Sequence, residues 1–399
     1  MNTPNCSHHP TGRHLLAIGL TAILLRLALC LASMHLGGLT LTQFAELRDG
    51  EQYMAVAHAW LGDFDALTAL GKEDAAYAMR LFPLYPAVMG LLHGLGIPMA
   101  LAALLPNWII TGLIAAAAAV LFGDRRVGWA MALLTPSFLL NSVLISTEAM
   151  SLLLCLAAIL SGRRGRWLLA GFAFGLAGLA RPVAIFAALG YFVMQLGRKQ
   201  AKQGVLTGLI AAAAFAAGLG LVHLRFGDAL ASFTTYAQNQ QAYGGQLLAW
   251  PFQSLITTPM HFNVATWKIA YVWLHVLATL GACTLMIRRV ATAADTQQRT
   301  FEWMIAIWLW TNTLFVLCVG DRWGFDEFHR FIVPALPALF WPYAAILPRS
   351  RWSWLWVPIT AVSLAFAYQG LSHGFDKTDT PTLEPKPGPL GPDRSLIQS

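Results

Sequence analysis

Charge is scarce in this 399-residue chain. Only 11% of its residues are Asp, Glu, Lys or Arg, against 57% hydrophobic, whereas a soluble domain carries about 25% charged residues. That scarcity excludes a soluble globular protein: so much apolar surface cannot be hidden in the chain's own core, and lipid must be its solvent. Cysteine is scarce too. Cys6, Cys30, Cys155, Cys283 and Cys318 show neither a CxxC nor a zinc-ligand spacing, so they read as small hydrophobes. The internal repeats that mark many transporters are missing, as are the short alternating strands of an outer-membrane barrel. The first apolar run, Leu15 to Leu36, is too long for a signal h-region and has no convincing small-residue cleavage site, so it reads as an uncleaved span.

What is present instead is a series of apolar stretches of about 18 to 25 residues, each long enough to cross a bilayer. They predict an all-α polytopic transmembrane protein with about 10 to 12 spans within residues 14–371. A polar head, 1–13, precedes them, and a tail rich in Pro, Asp and Thr, 372–399, reads as disordered. The net charge of +7 is not a nucleic-acid signal, because the basic residues sit in small groups between spans. Arg125–Arg126, Arg163–Arg164–Arg166, Lys199–Lys202, Arg288–Arg289 and Arg349–Arg351 would all be cytoplasmic, as would the head. The segments 38–81, 225–264 and 321–329 then share the outer face. The first of these carries seven acids against three bases, a balance of −4. Segment 82–122 needs an odd number of spans to bring Arg125 inside, yet the Gly-Ile-Pro break at 96–98 suggests two pieces, one of them re-entrant unless the arginines break the rule.

Several polar groups converge on the outer boundary. They are Asp49 and Tyr53 in "RDGEQY", Arg80 in "MRLFPLYP", Glu148 in "TPSFLLNSVLISTEAM", Arg181 in "GLARPV", and His329 and Arg330 in "DRWGFDEFHRFIVPALP". An ionisable residue at membrane depth costs roughly 2.5–3.5 kcal/mol on insertion scales, so Glu148, Arg181 and Arg330 are not expected to face lipid. Each also has a plainer reading. Asp49 suits a turn beside Gly50, Glu148 a helix cap beside Ser146 or Thr147, Arg181 a snorkelling boundary residue, and Arg80 and Arg330 interfacial anchors. Tyr53, Trp250 and Trp323 suit an aromatic belt, and a lone His329 is usually structural. Coincidence on one face is what favours a functional reading.

In order and spacing, "RDGEQY" after the first span, "FPLYP", "TPSFLLNSVLISTEAM", "LARPV", "RFGDALASF" and "HRFIVPALP" resemble the GT-C glycosyltransferases, and more narrowly the PIG-V (GPI mannosyltransferase II-like) family and its bacterial relatives. The resemblance covers roughly residues 15 to 345. It implies a GT-C-like fold and an inverting transferase that moves a sugar, typically mannose, from a polyprenyl-phosphate donor on the extracytoplasmic face of a membrane. It also implies that Asp49 matches the family's catalytic acid. A carboxylate within reach of an acceptor hydroxyl can take its proton as the glycosidic bond forms. Arginines aimed at the leaving phosphate stabilise the charge growing there; Arg80, Arg330 and Arg181 are the candidates. Glu148 would orient the acceptor, assist the base or hold a cation with Asp49. Tyr53, His329 and Trp250 are candidate substrate contacts, and the loop bearing Tyr236, Tyr243 and Trp250 is a candidate sugar platform.

No obligatory metal or other cofactor is expected, because two carboxylates do not make a metal site without further ligands, although a divalent cation would fit between them. The expected partners are the lipid-linked donor, membrane lipid and a glycan, lipid or protein acceptor, with no nucleic acid. A bacterial inner membrane is the expected location. A transporter or flippase explains the spans but not the acidic first loop. An O-antigen ligase or polymerase type would carry its main outer loop late in the chain. A non-catalytic glycosylation subunit would tolerate loss of Asp49.

Overall fold

The computed structural model describes residues 10–72, 75, 78–235, 248–262, 264–320, 324–325, 327–348 and 350–372. Tyr236, Tyr243, Trp323, most of the head and the tail beyond residue 372 lie outside the described residues. The described chain is helical, with one isolated bridge between Leu248 and Val319. In chain order the α-helices are α1 (Gly12–Gly37), α2 (Leu41–Ala45), α3 (Gly50–Leu61), α4 (Asp65–Ala69), α5 (Leu84–Gly94) and α6 (Met99–Phe122). Then come α7 (Arg125–Leu133), α8 (Pro136–Val143), α9 (Thr147–Arg163), α10 (Trp167–Ala180), α11 (Ala184–Gly197) and α12 (Ala201–Phe226). The last are α13 (Gln253–His261), α14 (Thr266–Thr292), α15 (Thr296–Cys318), α16 (Phe328–Phe331), α17 (Leu336–Tyr343) and α18 (Trp356–Ser372).

Local chemistry sets the ends of the first span. Thr11 accepts from the His14 N–H, the His14 ring accepts from the Thr11 N–H, and Gly38 closes the helix at φ 62°, where a left-handed residue satisfies the last carbonyls. Among the described residues six helices (12–37, 99–122, 201–226, 266–292, 296–318 and 352–372) are long and apolar enough to cross a membrane, or seven if α8 and α9 form one span bent by 105°. The protein is a multi-pass integral membrane protein. The larger number read from the sequence counts apolar helices such as α10 and α11, of 14 residues each, as full spans.

Segment 82–122 divides into α5 and α6, and only α6 is long enough to cross. The 11 residues of α5 reach about 16 Å, half of a hydrocarbon core of about 30 Å. One full span brings Arg125 to the side of the other basic clusters, which removes the conflict in parity.

Segment 38–81 is not an open loop. Its "GEQYMAVAHAWL" forms α3, which buries Tyr53, Met54, Val56, Ala57 and Ala59 against α5. Charge dominates the segment's composition, but these apolar residues dominate its packing. Arg225, at the end of α12, donates from Nε to the Ala59 carbonyl at 2.7 Å and so caps α3. Segment 225–235 lies over residues 81–82: Ser232 donates to the Leu81 carbonyl at 2.9 Å, and Phe233 packs edge-on to Phe82.

Helices cross closely where side chains vanish. A Cβ on Gly112 of α6 would stand 2.7 Å from the Gly19 carbonyl of α1, the small-residue contact that lets backbones touch in lipid. Gly112→Val should therefore unfold at a markedly lower temperature in detergent. Gly208→Ala, at a site with nothing within 4 Å, serves as the control, and equal melting of the two would show that the α1–α6 crossing can yield.

Candidate functional site

Loop 46–49 turns the chain sharply from α2 into α3. Arg48 takes a left-handed φ of 58°, uncommon for a residue with a Cβ, and is exposed. A Cβ on Gly50 would overlap the Ala45 carbonyl oxygen, so only glycine lets α3 begin directly under α2. This places Asp49 at the N-cap of α3 with its carboxylate free of the helix. Its Oδ1 accepts instead from Arg80 Nη2 at 2.9 Å, while Arg80 Nη1 donates to Gln52 Oε1 at 2.8 Å. The Asp49 side chain is 35% exposed and that of Arg80 11%.

Glu148 is wholly enclosed. Ser146 Oγ donates to its Oε2 at 2.5 Å, Arg181 Nη2 lies 3.0 Å from its Oε1, and Arg330 Nε donates to that same oxygen. Arg181 reaches it from the extended residue ending α10, and Arg330 from α16. Glu327 adds a carboxylate 3.8 Å from Arg330 Nη1. Arg48 lies within electrostatic reach of Glu327, Arg330, Asp49 and Glu148. Three guanidiniums, those of Arg80, Arg181 and Arg330, thus pair with three carboxylates, and the exposed Arg48 lies within electrostatic reach of them.

Helix geometry explains how Glu148 is presented. The chain breaks between α8 and α9 at Leu144–Ser146, which frees backbone carbonyls that lipid cannot satisfy. Two residues of α6 take them: Asn107 Nδ2 donates to the Leu144 carbonyl at 2.6 Å and Trp108 Nε1 to the Val143 carbonyl at 3.1 Å. From α1, the buried Arg26 donates to Ser142 Oγ at 3.0 Å and to the Ala132 carbonyl at 2.6 Å. These contacts fix the start of α9 and with it the direction of Glu148.

Two other expected contacts lie in the same place. Tyr53 is buried with its ring edge-on to Tyr85 at 6.1 Å. Burial, reinforced by the Glu148 and Asp49 carboxylates, pushes its phenol up to about 12, so it stays neutral at working pH. His329 packs edge-on to Tyr271 at 5.8 Å, and its Nδ1 is enclosed with no hydrogen-bond partner among the described residues. Burial first, then His275 and the cations of Arg48, Lys268 and Arg330, hold its pKa well below the usual imidazole range. It is a neutral ring beside the arginines.

Trp250 sits on a different element from these residues. It is 82% exposed on a turn tied to the end of α15 by the Ala249 N–H to Cys318 carbonyl bond of 2.7 Å. Among the described residues no cluster of three or more His, Cys, Asp or Glu side chains could hold a metal ion.

Gln52, Glu327, Arg48, Asn107, Trp108 and Arg26 join the site without having been singled out from the sequence, and Ser146, expected only beside Glu148 in a helix cap, joins as a donor to it. Arg26 carried a signal: it is a lone charge within "ILLRLALC", and an intramembrane arginine needs a partner. Gln52 and Asn107 carried none, because neutral polar residues are common near helix ends.

Gly50→Ala should displace Asp49 without removing it. The expected result is a large loss of whatever activity depends on Asp49, with the protein still inserted, read as activity per folded molecule; unchanged activity would show that the turn relaxes freely.

Neither a protein-family model nor a curated protein matches the chain. Among solved structures the chain is similar to the crystal structure of ArnT from Cupriavidus metallidurans bound to undecaprenyl phosphate, with a TM-score of 0.50 at 14% identity. The match covers 85% of this chain and 63% of ArnT, so the chain spans less than two thirds of that protein's length. At this identity the likeness speaks for the fold, which is the GT-C-like helical fold expected from the sequence.

Proposed function

We propose that the chain is an inverting membrane glycosyltransferase of the PIG-V type, which moves a sugar, mannose on the resemblance, from a polyprenyl-phosphate donor to an acceptor hydroxyl. The observation that carries this reading is the pairing of one accessible carboxylate, Asp49, with a cation-rich group that includes Arg80, Arg181 and Arg330. The bond that forms joins the acceptor oxygen to the anomeric carbon. The bond that breaks joins that carbon to the phosphate oxygen, which leaves with the electron pair. Asp49, one third exposed, takes the acceptor proton as the new bond forms. The arginines meet the charge developing on the phosphate, and a guanidinium fork suits phosphate oxygens.

Glu148 has no exposed surface and two arginine partners, so its role is to aim Arg181 and Arg330 rather than to take a proton. Tyr53 and His329, neutral and polar, face the same group and would contact the sugar. An apolar cavity of about 600 Å³ begins at Ile332, two residues beyond Arg330, and continues past Leu336, Tyr271 and Phe366. It suits the first isoprene units of the donor. The expected location is a bacterial inner membrane with this site on its outer side, and the reaction needs no cofactor.

Supporting this reading are the order of the sequence motifs, the fold likeness to a protein crystallised with undecaprenyl phosphate and the geometry above. The test is donor consumption. Membranes carrying the chain should release polyprenyl phosphate from labelled polyprenyl-phosphate mannose when acceptor lipids or glycans are present. If membranes with and without the chain consume mannose, glucose and aminoarabinose donors at the same rate, the transferase reading fails.

A further inference from the structure

At the opposite end of the same helices lies a second polar cavity that the transferase reading does not use. Fifteen residues of α9 separate Glu148 from Arg163, a rise of about 22 Å. Here a cavity of about 510 Å³ opens between the ends of α6, α9 and α11 and the start of α15. Its floor is aromatic: Phe122 stacks on Trp341 at 4.9 Å and 28°, and Phe301 packs edge-on to both. Arg163 and Arg198 line it, within electrostatic reach of each other.

Two acids, Asp295 and Glu302, line the cavity as well, and each is engaged. Asp295 caps α15 through the Gln298 N–H at 2.7 Å. Glu302 is buried and bound by Arg289 at 3.1 and 2.8 Å and by Trp341 Nε1 at 2.8 Å. Arg163 spends one nitrogen, Nη1, on the Leu121 carbonyl at 2.7 Å and lies 4.8 Å over the Phe301 ring. Among the described residues its other nitrogens, the Arg198 guanidinium and the Gln297 amide remain as donors. Arg198 and Gln297 also line an adjoining cavity of about 510 Å³ that includes Lys199.

Two like charges held side by side over an aromatic floor are stable when an anion sits between them. Basic pockets between helices on the cytoplasmic side suit anionic headgroups, and guanidiniums suit phosphate oxygens. We propose that this cavity is a phosphate-binding site, with Arg163 and Arg198 holding the phosphate of an anionic membrane lipid or of a soluble phosphate compound. It stands independently of the transferase reading, since none of its residues belongs to the Asp49 group. The aromatic floor gives a glycerol backbone and the first acyl carbons an apolar surface.

The test is thermal unfolding of the purified full chain in a neutral detergent with phosphatidylglycerol, phosphatidylcholine, or inorganic phosphate matched in ionic strength by chloride. A ligand that binds only the folded state raises the melting temperature, here by about 3 °C near saturation. A rise with phosphatidylglycerol alone identifies a lipid headgroup, and a rise with inorganic phosphate as well identifies the phosphate itself. Arg198→Gln should lose most of either rise, whereas Arg164→Gln, exposed and outside the cavity, should keep it. Equal rises with phosphatidylcholine and phosphatidylglycerol and none with phosphate overturn the proposal, as does an undiminished rise in Arg198→Gln. Should Arg198→Gln fail to fold, native mass spectrometry of the wild type decides. Retained phosphatidylglycerol or phosphate in excess of phosphatidylcholine supports the site, and no such excess overturns it.

Discussion

Asp49→Asn should cut sugar transfer from the lipid-linked donor by at least about a hundredfold, the low end of what a general base contributes. The asparagine keeps the side chain's size but can no longer accept the acceptor's proton. The substitution should cost little stability. Its ion pair to Arg80 has a carboxylate that is 35% exposed, and partly exposed pairs contribute roughly 0–1 kcal/mol. Arg80 also keeps its bond to Gln52. The measurement is initial rate per folded protein in matched membranes, beside a melting curve. A rate within about threefold of wild type would make Asp49 an ordinary acid on a turn and sink its assignment as base. A lost rate accompanied by a large fall in melting temperature would assign it to the fold instead.

Asp49, Glu148, Arg80, Arg181 and Arg330 stood out for a simple reason, that charge is rare in this chain, whereas Arg48 and Glu327 were passed over. Glu148, Arg181 and Arg330 interrupt apolar sequence, and the cost of a charge in lipid forces each to find a partner. Their mutual pairing, which no spacing reveals, follows from that need. The turn at Arg48–Gly50 was half legible. "DG" signals a tight turn, but the reason for glycine, contact with the Ala45 carbonyl, depends on where α2 ends.

The character of segment 38–81 was misread because its balance of charge hid the apolar face of "YMAVAHAW". Trp250 was chosen as part of an aromatic outer loop, and the structure gives it an exposed turn. The break before Glu148 falls at the boundary between the apolar runs 127–145 and 147–162, but its cause could not be read there. "NSVLIST" has apolar runs on both sides, and what makes the break tolerable is Asn107 and Trp108, some thirty-five residues away in sequence. Hydropathy likewise records apolar runs and not the kinks and short helices into which packing divides them.

Glu148→Gln, by contrast with Asp49→Asn, should be felt first in stability, by about 3–5 kcal/mol, the range for breaking a buried ion pair from one side. Glu148 has no exposed surface, and the side chains of Arg181 and Arg330 are only 15% and 20% exposed. The glutamine removes the charge both guanidiniums share, and its amide must turn its NH2 either toward Ser146, which donates a hydrogen bond there, or toward an arginine. Two cations are then left close together without their anion. Removing one of them as well should therefore restore part of the loss. In a cycle of Glu148→Gln, Arg181→Gln and the double variant, the double should be more stable than the sum of the singles by about 0.5–3 kcal/mol, as expected for groups that share a partner. Denaturant or thermal unfolding in one detergent reads all four proteins. If Glu148→Gln melts within about 0.5 kcal/mol of wild type, the range of surface substitutions, the carboxylate is not what holds the arginines in place. Then any loss of transfer in that variant must come from a direct part in the chemistry, which its burial argues against. If the cycle shows the coupling, Glu148 and Asp49 divide the work by environment. The enclosed acid spends its charge on aiming two arginines, and the accessible acid, on a turn held rigid by glycine, keeps its charge for a proton.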